Sequence, residues 1–335
     1  MRKKLIAIIV TVILAFGSVS VFADTGNCAD NKELDFAKVY KLANEGTVSP
    51  AENFTFKIEK VGVTNSSVTK DQMPSFAKDT FTISHGAASA AAGKGTSVST
   101  KIALPEFTRV GEYTYRITEV AGDTAGVQYN AQSVLLKITV TNCAAGTNDL
   151  DRTVSMKLEG GDETKVDSVV NTYSAGRLLV TKDVEGIFGD RNENFKMAVT
   201  FKAPAGKKVM SDITYSDNGT DKTVDKAALN SADATVTVDI DLKDGETVEF
   251  KNIPYGVEYQ VKEADYSSMG YATRYDCSDD RDTKTVDSEE STVTVINSKG
   301  GTVDTGVLWT VTPYVIALLL AGALTAVVIR RRRMN

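Results

Sequence analysis

The chain has 335 residues, 38 Lys or Arg against 44 Asp or Glu, a net charge of −6, one histidine and three cysteines. That acidity argues against nucleic-acid or anionic-membrane binding. One histidine, His85, with no clustered partners argues against a zinc site or a catalytic triad.

Arg2-Lys3-Lys4 opens the chain, followed by an apolar run from Leu5 to Phe16 and small residues ending at Val21-Phe22-Ala23. The order predicts a signal peptide over 1–23, cut after Ala23. A retained anchor is the alternative, and the shortness of the apolar run weighs against it. No lipobox precedes Cys28. Residues 24–33 form an N-terminal tail. Cys28, Cys143 and Cys277 are odd in number and far apart, so they suggest no disulfide framework.

The body alternates apolar and polar residues at 54–58, 113–117, 134–140, 195–201, 257–261 and 293–295, and Val, Thr, Tyr and Phe dominate these runs. Each predicts a strand. Gly86 to Ser99 reads as a loop, and Lys226 to Asp233 as one or two helical turns. Many short strands bounded by Gly, Asn and Asp predict an all-β protein of stacked sandwiches.

The chain also repeats. Leu34 to Lys38 is echoed by Leu178 to Lys182, Asn53-Phe54 by Asn194-Phe195, Tyr115-x-Ile117-x-Glu119 by Tyr259-x-Val261-x-Glu263, and Val169-x-Asn171 by Val295-x-Asn297. The step from Lys38 to Glu119 equals the step from Lys182 to Glu263. The repeat predicts two related domains, 34–174 and 175–299, with a border near Ser174-Ala175-Gly176.

A strand sends alternate side chains to one face. Lys38 then shares a face with Leu34 and Phe36, and Glu119 with Tyr113, Tyr115 and Ile117. Lys182 joins Leu178, Val180 and Val184; Glu263 joins Val257, Tyr259 and Val261; Asn297 follows Val293 and Val295, and Asn171 follows Val169. Taken singly, such residues are usually solvated or end a strand. Twice over at equal spacing, they predict Lys, Glu and Asn in an apolar interior. Burial favours a neutral lysine and a protonated glutamic acid. The amine can then attack the asparagine carboxamide carbon, while the acid polarises the carbonyl and shuttles protons to departing ammonia. No second polar cluster suggests turnover of an outside substrate, so the expectation is no enzyme beyond this single internal event, with no cofactor and no metal.

The C-terminus has three parts in order: 300–306, a linker ending in Thr302-Val303-Asp304-Thr305-Gly306; an apolar stretch over 307–329, long enough to span a bilayer; and a basic tail over 330–335, held in the cytoplasm. The two ends carry seven basic and no acidic residues, so their removal takes the charge from −6 to −13. Thr305-Gly306 ahead of the span resembles a cell-wall sorting signal. The pentapeptide departs from Leu-Pro-x-Thr-Gly and approaches Glu-Val-Pro-Thr-Gly, with Asp304 where that variant has Pro.

Residues 34–316 resemble the streptococcal-type major pilins with two isopeptide-linked, CnaB-like immunoglobulin folds. The resemblance rests on Leu34 to Lys38 followed by Asn53 to Glu59, on the paired Tyr-x-[Ile/Val]-x-Glu segments, and on Thr305-Gly306-Val307 leading to Thr310-Val311-Thr312-Pro313-Tyr314. It implies a Lys38–Asn171 bond assisted by Glu119 and a Lys182–Asn297 bond assisted by Glu263, each tying a domain's first strand to its last. It implies that a sortase cleaves between Thr305 and Gly306 and that a lysine on the next subunit takes the acyl group. Lys165 stands near the family's position for that lysine, one residue closer to the bonding asparagine; Lys157 is a weaker candidate, and an ordinary solvated lysine is the competing reading. The implied partners are a sortase transpeptidase, other copies in a head-to-tail polymer, minor pilins and peptidoglycan. The implied location is the cell wall, with the precursor held briefly in the membrane. A monomeric wall-anchored adhesin or stalk with the same internal bonds is the alternative.

Overall fold

The computed structural model describes residues 30–143, 149–161, 164–217, 219–231, 234–277 and 284–301. The expected signal peptide, sorting motif, membrane segment and basic tail, Thr305 and Gly306 among them, lie outside the described residues. The described chain is almost entirely strand, arranged as two successive sandwiches.

In the first sandwich, a four-stranded sheet runs in the order Gly95–Ala103, Glu33–Leu42, Ser168–Tyr173, Val127–Gln128. It faces a five-stranded sheet in the order Leu150–Leu158, Val134–Asn142, Gly111–Val120, Glu52–Thr64, Thr80–His85. In the second, a six-stranded sheet centres on Ala175–Glu185 between Thr247–Pro254 and Glu290–Ser298, and it faces a four-stranded sheet holding Phe195–Lys202 and Glu258–Glu263. Each sandwich closes on its own apolar core, with Phe36, Phe56, Tyr115 and Leu136 in one and Phe195, Phe201, Phe250 and Val295 in the other. The two-residue period explains this division, since alternate residues of Glu33–Leu42 and of Gly111–Val120 are buried.

In both sandwiches the first strand lies parallel to the last. Glu33–Leu42 pairs with Ser168–Tyr173, and Ala175–Glu185 pairs with Glu290–Ser298. The chain therefore enters and leaves each sandwich on neighbouring strands that point the same way.

Two expectations are corrected. Gly86 to Ser99 is no loop throughout: Ala88–Ser89 is a short strand and Gly95–Ala103 is an edge strand paired with Glu33–Leu42. Its outer face is solvated, so small polar residues suffice there, and a side chain on Gly95 would put Cβ 2.0 Å from the Tyr40 carbonyl oxygen. The cysteines also differ from expectation, because Cys143 is disulfide-bonded, with a partner outside the described residues. Distance along the sequence does not reveal which cysteines a fold brings together. The helical stretch is a single turn, Lys226–Leu229, capped by the Asp225 carboxylate on the amides of Ala227 and Ala228.

The sandwiches meet through a short, ordered joint. Tyr173 ends one strand and Ala175 begins the next. Ala125, on the connection after Gly111–Val120, is buried in the second sandwich's core. Around it the Lys208 amide donates to Asp123 O at 2.7 Å and the Ala125 amide to Lys208 O at 2.8 Å. The Tyr173 hydroxyl donates to Ser211 Oγ at 2.8 Å, and Asn252 exchanges bonds of 3.0 and 3.1 Å with the Val48 backbone. Ala125→Asp would force a carboxylate into that core. It should destabilise the second sandwich by at least about 2 kcal/mol and separate the calorimetric transitions of the two halves; an unchanged thermogram would show that the joint does not couple them.

Candidate functional site

Each sandwich buries one lysine, one glutamate and one asparagine between its sheets. Lys38 and Asn171 project from the parallel first and last strands, and Glu119 projects from the facing sheet. Lys38 is opposite Val169, and Asn171 lies two residues further on, opposite Tyr40. The period-two rule returns both to the same face. The second sandwich repeats this register, with Lys182 opposite Val295, Asn297 opposite Val184, and Glu263 on the facing strand. All six are buried: Lys38, Lys182 and Asn297 are 0% exposed, and Glu119, the most exposed, is 8%.

In the first sandwich the glutamate joins the other two. The Lys38 ammonium donates to Glu119 Oε2 at 2.7 Å, and Asn171 Nδ2 donates to Glu119 Oε1. The carboxamide oxygen of Asn171 accepts from the Asn130 backbone amide at 2.9 Å. A backbone N–H can only donate, so that contact fixes which way the carboxamide points. The glutamate therefore faces the leaving nitrogen of Asn171, rather than its carbonyl oxygen as expected from sequence.

The second triad is arranged differently. Lys182 Nζ donates to Asp183 O at 3.0 Å and Val295 O at 3.1 Å, and stands 3.4 Å from Glu263 Oε1. Asn297 Nδ2 donates to the same oxygen at 3.0 Å. The Thr273 hydroxyl donates to Glu263 Oε2 at 2.9 Å, and the Glu263 amide donates to the Tyr275 hydroxyl at 2.9 Å.

Burial controls the amines. Desolvation pulls Lys38 down to about 8, with the Glu119 charge and its hydrogen bond opposing. Desolvation also lowers Lys182, again against the pull of Glu263. An aromatic ring lies against each nitrogen: Phe54 at 4.6 Å from Lys38 Nζ and Phe195 at 4.5 Å from Lys182 Nζ, centroid distances. These rings belong to the repeated Asn-Phe pairs, so the sequence held a signal whose role only the fold explains. Asn130, Thr273 and Tyr275 were missed, since a backbone amide and lone hydroxyls carry no pattern.

His85 is buried in the first core, with Nδ1 2.9 Å from Thr96 Oγ1 and its ring edge-on to Tyr40 and Phe54. Burial, and then Lys38, hold its imidazole below the usual value. Lys165 lies apart from both triads. It is exposed, directly opposite Lys157 in an antiparallel bridge, and the next residue's amide donates to Met156 O at 2.9 Å. Among the described residues no group of His, Cys, Asp and Glu could hold a metal ion.

The arrangement places an amine whose charge burial disfavours and a primary carboxamide on one buried carboxylate. It is the geometry of two reactants and a proton carrier.

A family model described as a Spy0128-like isopeptide containing domain matches residues 34–174, and one described as a domain of unknown function (DUF7601) matches residues 176–299. A curated relative named Pilin, from Streptococcus pyogenes serotype M1, is 29% identical over 341 residues, spanning 93% of this chain and 94% of that protein. The solved major pilin from Streptococcus pyogenes superposes with a TM-score of 0.56 at 23% identity, over 81% of this chain and all 100% of that one. The T3.2 major pilin of the same species gives 0.51 at 20% identity, over 81% and 98%. Residues 34–174 thus match the Spy0128-like isopeptide containing domain, and nearly the whole chain is similar to a streptococcal pilin.

Proposed function

We infer that the chain is the structural shaft subunit of a surface pilus, stiffened by an amide that each sandwich forms within itself. The supporting observation is the doubled triad: a buried lysine amine and an asparagine carboxamide meet on one buried glutamate, in the same register, in both sandwiches. Lys38 bonds to Asn171 with Glu119 as proton carrier, and Lys182 to Asn297 with Glu263 in that role. Residues 34–174 and 175–299 are the two units so closed.

In each, the ammonium passes a proton to the carboxylate. The amine lone pair forms a bond to the asparagine Cγ, and the carbonyl π pair moves to Oδ1. The intermediate collapses: the glutamic acid protonates Nδ2, the Cγ–Nδ2 bond breaks, and the carboxylate so regenerated takes a second proton from the attacking nitrogen. The attacking nitrogen keeps one hydrogen, ammonia leaves with three, and the glutamate ends protonated, so charge and hydrogen balance. Each amide closes a loop of more than a hundred residues, which by analogy with a disulfide stabilises by about 5 kcal/mol.

The subunits join at Thr305. A sortase cysteine attacks its carbonyl, releases Gly306 onward, and the Lys165 amine of another copy takes the acyl group. The exposure of Lys165 supports this reading, since an acceptor has to be reachable. The finished fibre is held on peptidoglycan and carries minor pilins.

Under reducing conditions, the intact mass of residues 24–305 should fall short of the sequence mass by two ammonia molecules. Glu119→Ala and Glu263→Ala should each restore one; a wild-type mass with no deficit would refute the cross-links. Lys165→Ala should abolish detergent-resistant ladders on the cell surface while leaving the two-ammonia deficit of the monomer unchanged. Ladders that persist would move the acceptor elsewhere, Lys157 first.

The unlinked fold should be pH-sensitive. A lysine whose folded pKa lies below its unfolded value binds its proton less well when folded, so stability rises with pH between the two values. For Lys38 the window runs upward from about 8 toward the ordinary lysine value of 10.5. In an Asn171→Ala background, the melting temperature should therefore climb from pH 8 to 10, and Lys38→Met should flatten that climb. Equal slopes in the two proteins would contradict the lowered amine.

A further inference from the structure

The two triads hold their asparagines differently, and the difference falls on the atom where charge develops. When the amine adds to Cγ, negative charge builds on Oδ1. In the first sandwich that oxygen is met at 2.9 Å by the Asn130 backbone amide. In the second, Asn297 Oδ1 is buried and finds no donor among the described residues.

We propose that the Asn130 backbone N–H is a catalytic oxyanion donor for the Lys38–Asn171 reaction, a role with no counterpart among the described residues of the second sandwich. This deepens the cross-linking reading and rests on it.

Three observations carry the assignment. First, Glu119 is fully engaged elsewhere: one oxygen meets the amine and the other the leaving nitrogen. It can move protons between those two nitrogens without turning, but it has no oxygen left for Oδ1. Second, the donor comes from the backbone of a held segment. The Asn130 side chain accepts from the Gln132 amide at 2.9 Å, and two residues before it the Val127–Gln128 strand is paired with Thr172 and Tyr173 of the Asn171 strand. A donor fixed in this way needs no rearrangement as charge forms. Third, the acceptor lies in a water-poor interior, since Asn171 is 1% exposed, and the half-buried Asn130 directs its N–H into that interior. There an aimed dipole acts far more strongly than it would in water.

The balance of the step is that given above: the pair arriving on Oδ1 is stabilised by the Asn130 N–H without transfer of its proton. It returns to re-form the carbonyl as ammonia leaves. The finished amide keeps the same contact.

The test replaces the Asn130 nitrogen by oxygen. Incorporating the α-hydroxy analogue of asparagine at position 130 during cell-free synthesis of the mature chain deletes the N–H and keeps the side chain. Asn130→Ala is the complementary variant, keeping the N–H and deleting the side chain. Synthesis is stopped in acid at timed points, and the cross-linked peptides of both sandwiches are counted by mass spectrometry. The readout is the ratio of the Lys38–Asn171 rate to the Lys182–Asn297 rate within one molecule, so a general slowing of folding cancels.

Removing one such donor typically costs a hundredfold or more, so the ratio should fall at least about tenfold in the ester variant. In Asn130→Ala, which keeps the N–H but loses the Gln132 contact that helps hold it, the fall should be several-fold smaller than in the ester variant. A ratio unchanged in the ester variant would overturn the proposal, and so would an equal fall in both variants, which would make the side chain or the loop responsible. Absence of any Lys38–Asn171 peptide from the wild type is a separate outcome: it would defeat the cross-link reading itself and remove the step that Asn130 is said to assist.

Discussion

Everything else in this protein depends on keeping a lysine amine dry beside a carboxylate. An ammonium is among the costliest groups to bury, and an ion pair inside a core is weak evidence of stability, because desolvation offsets most of the attraction. Both sandwiches nevertheless place a lysine at 0% exposure. They do so where its long stem lies among aromatic rings and its head meets a glutamate reaching across from the opposite sheet. As a source of folding energy that placement is poor. As preparation for a reaction it is coherent, because the same desolvation that penalises the charge makes the nitrogen nucleophilic.

The topology gives the reaction its mechanical meaning. Tension along a fibre enters a sandwich at the start of its first strand and leaves at the end of its last. Here those strands are parallel neighbours, so pulling slides one past the other and loads their ladder of hydrogen bonds together. The lysine and asparagine lie on this seam, and the asparagine is displaced two residues toward the end where the chain leaves. The proposed amide would carry the load there before the ladder shears. The joint extends the same logic. With a single residue between Tyr173 and Ala175, and backbone bonds stitching Asp123, Ala125 and Lys208, little slack separates one seam from the next.

Much of this could be read from the sequence because the relevant physics is periodic. Alternation exposed the strands, and a charged or amide residue falling on the apolar register marked Lys38, Glu119, Asn171 and their repeats before any fold was known. Even Phe54 and Phe195 were visible as echoes, although only packing shows them to be walls of the amine pockets. What escaped notice had no period. Gly86 to Ser99 looked like a loop because its Gly95–Ser99 part begins an edge strand with one solvated face and small polar residues. The Cys143 disulfide depends on which segments the fold makes adjacent. Asn130 acts through a backbone group that every residue but proline possesses, so no choice of side chain could have advertised it. The orientation of the Asn171 carboxamide was misjudged for the same reason: it is set by that amide.

The two triads reach one outcome by preparing opposite partners. In the first sandwich the electrophile is fixed: the carboxamide of Asn171 is held at both ends, by Glu119 and by Asn130, while the Lys38 amine has the glutamate as its hydrogen-bond acceptor. In the second sandwich the nucleophile is fixed. Two backbone carbonyls, Asp183 O and Val295 O, accept from Lys182. Thr273 holds the far oxygen of Glu263, which leaves one carboxylate oxygen to serve both reactants. What the repeat conserves is therefore the register that brings amine, acid and amide together. The finer hydrogen bonds that ready one partner or the other are free to differ, because proximity alone supplies the larger share of the rate.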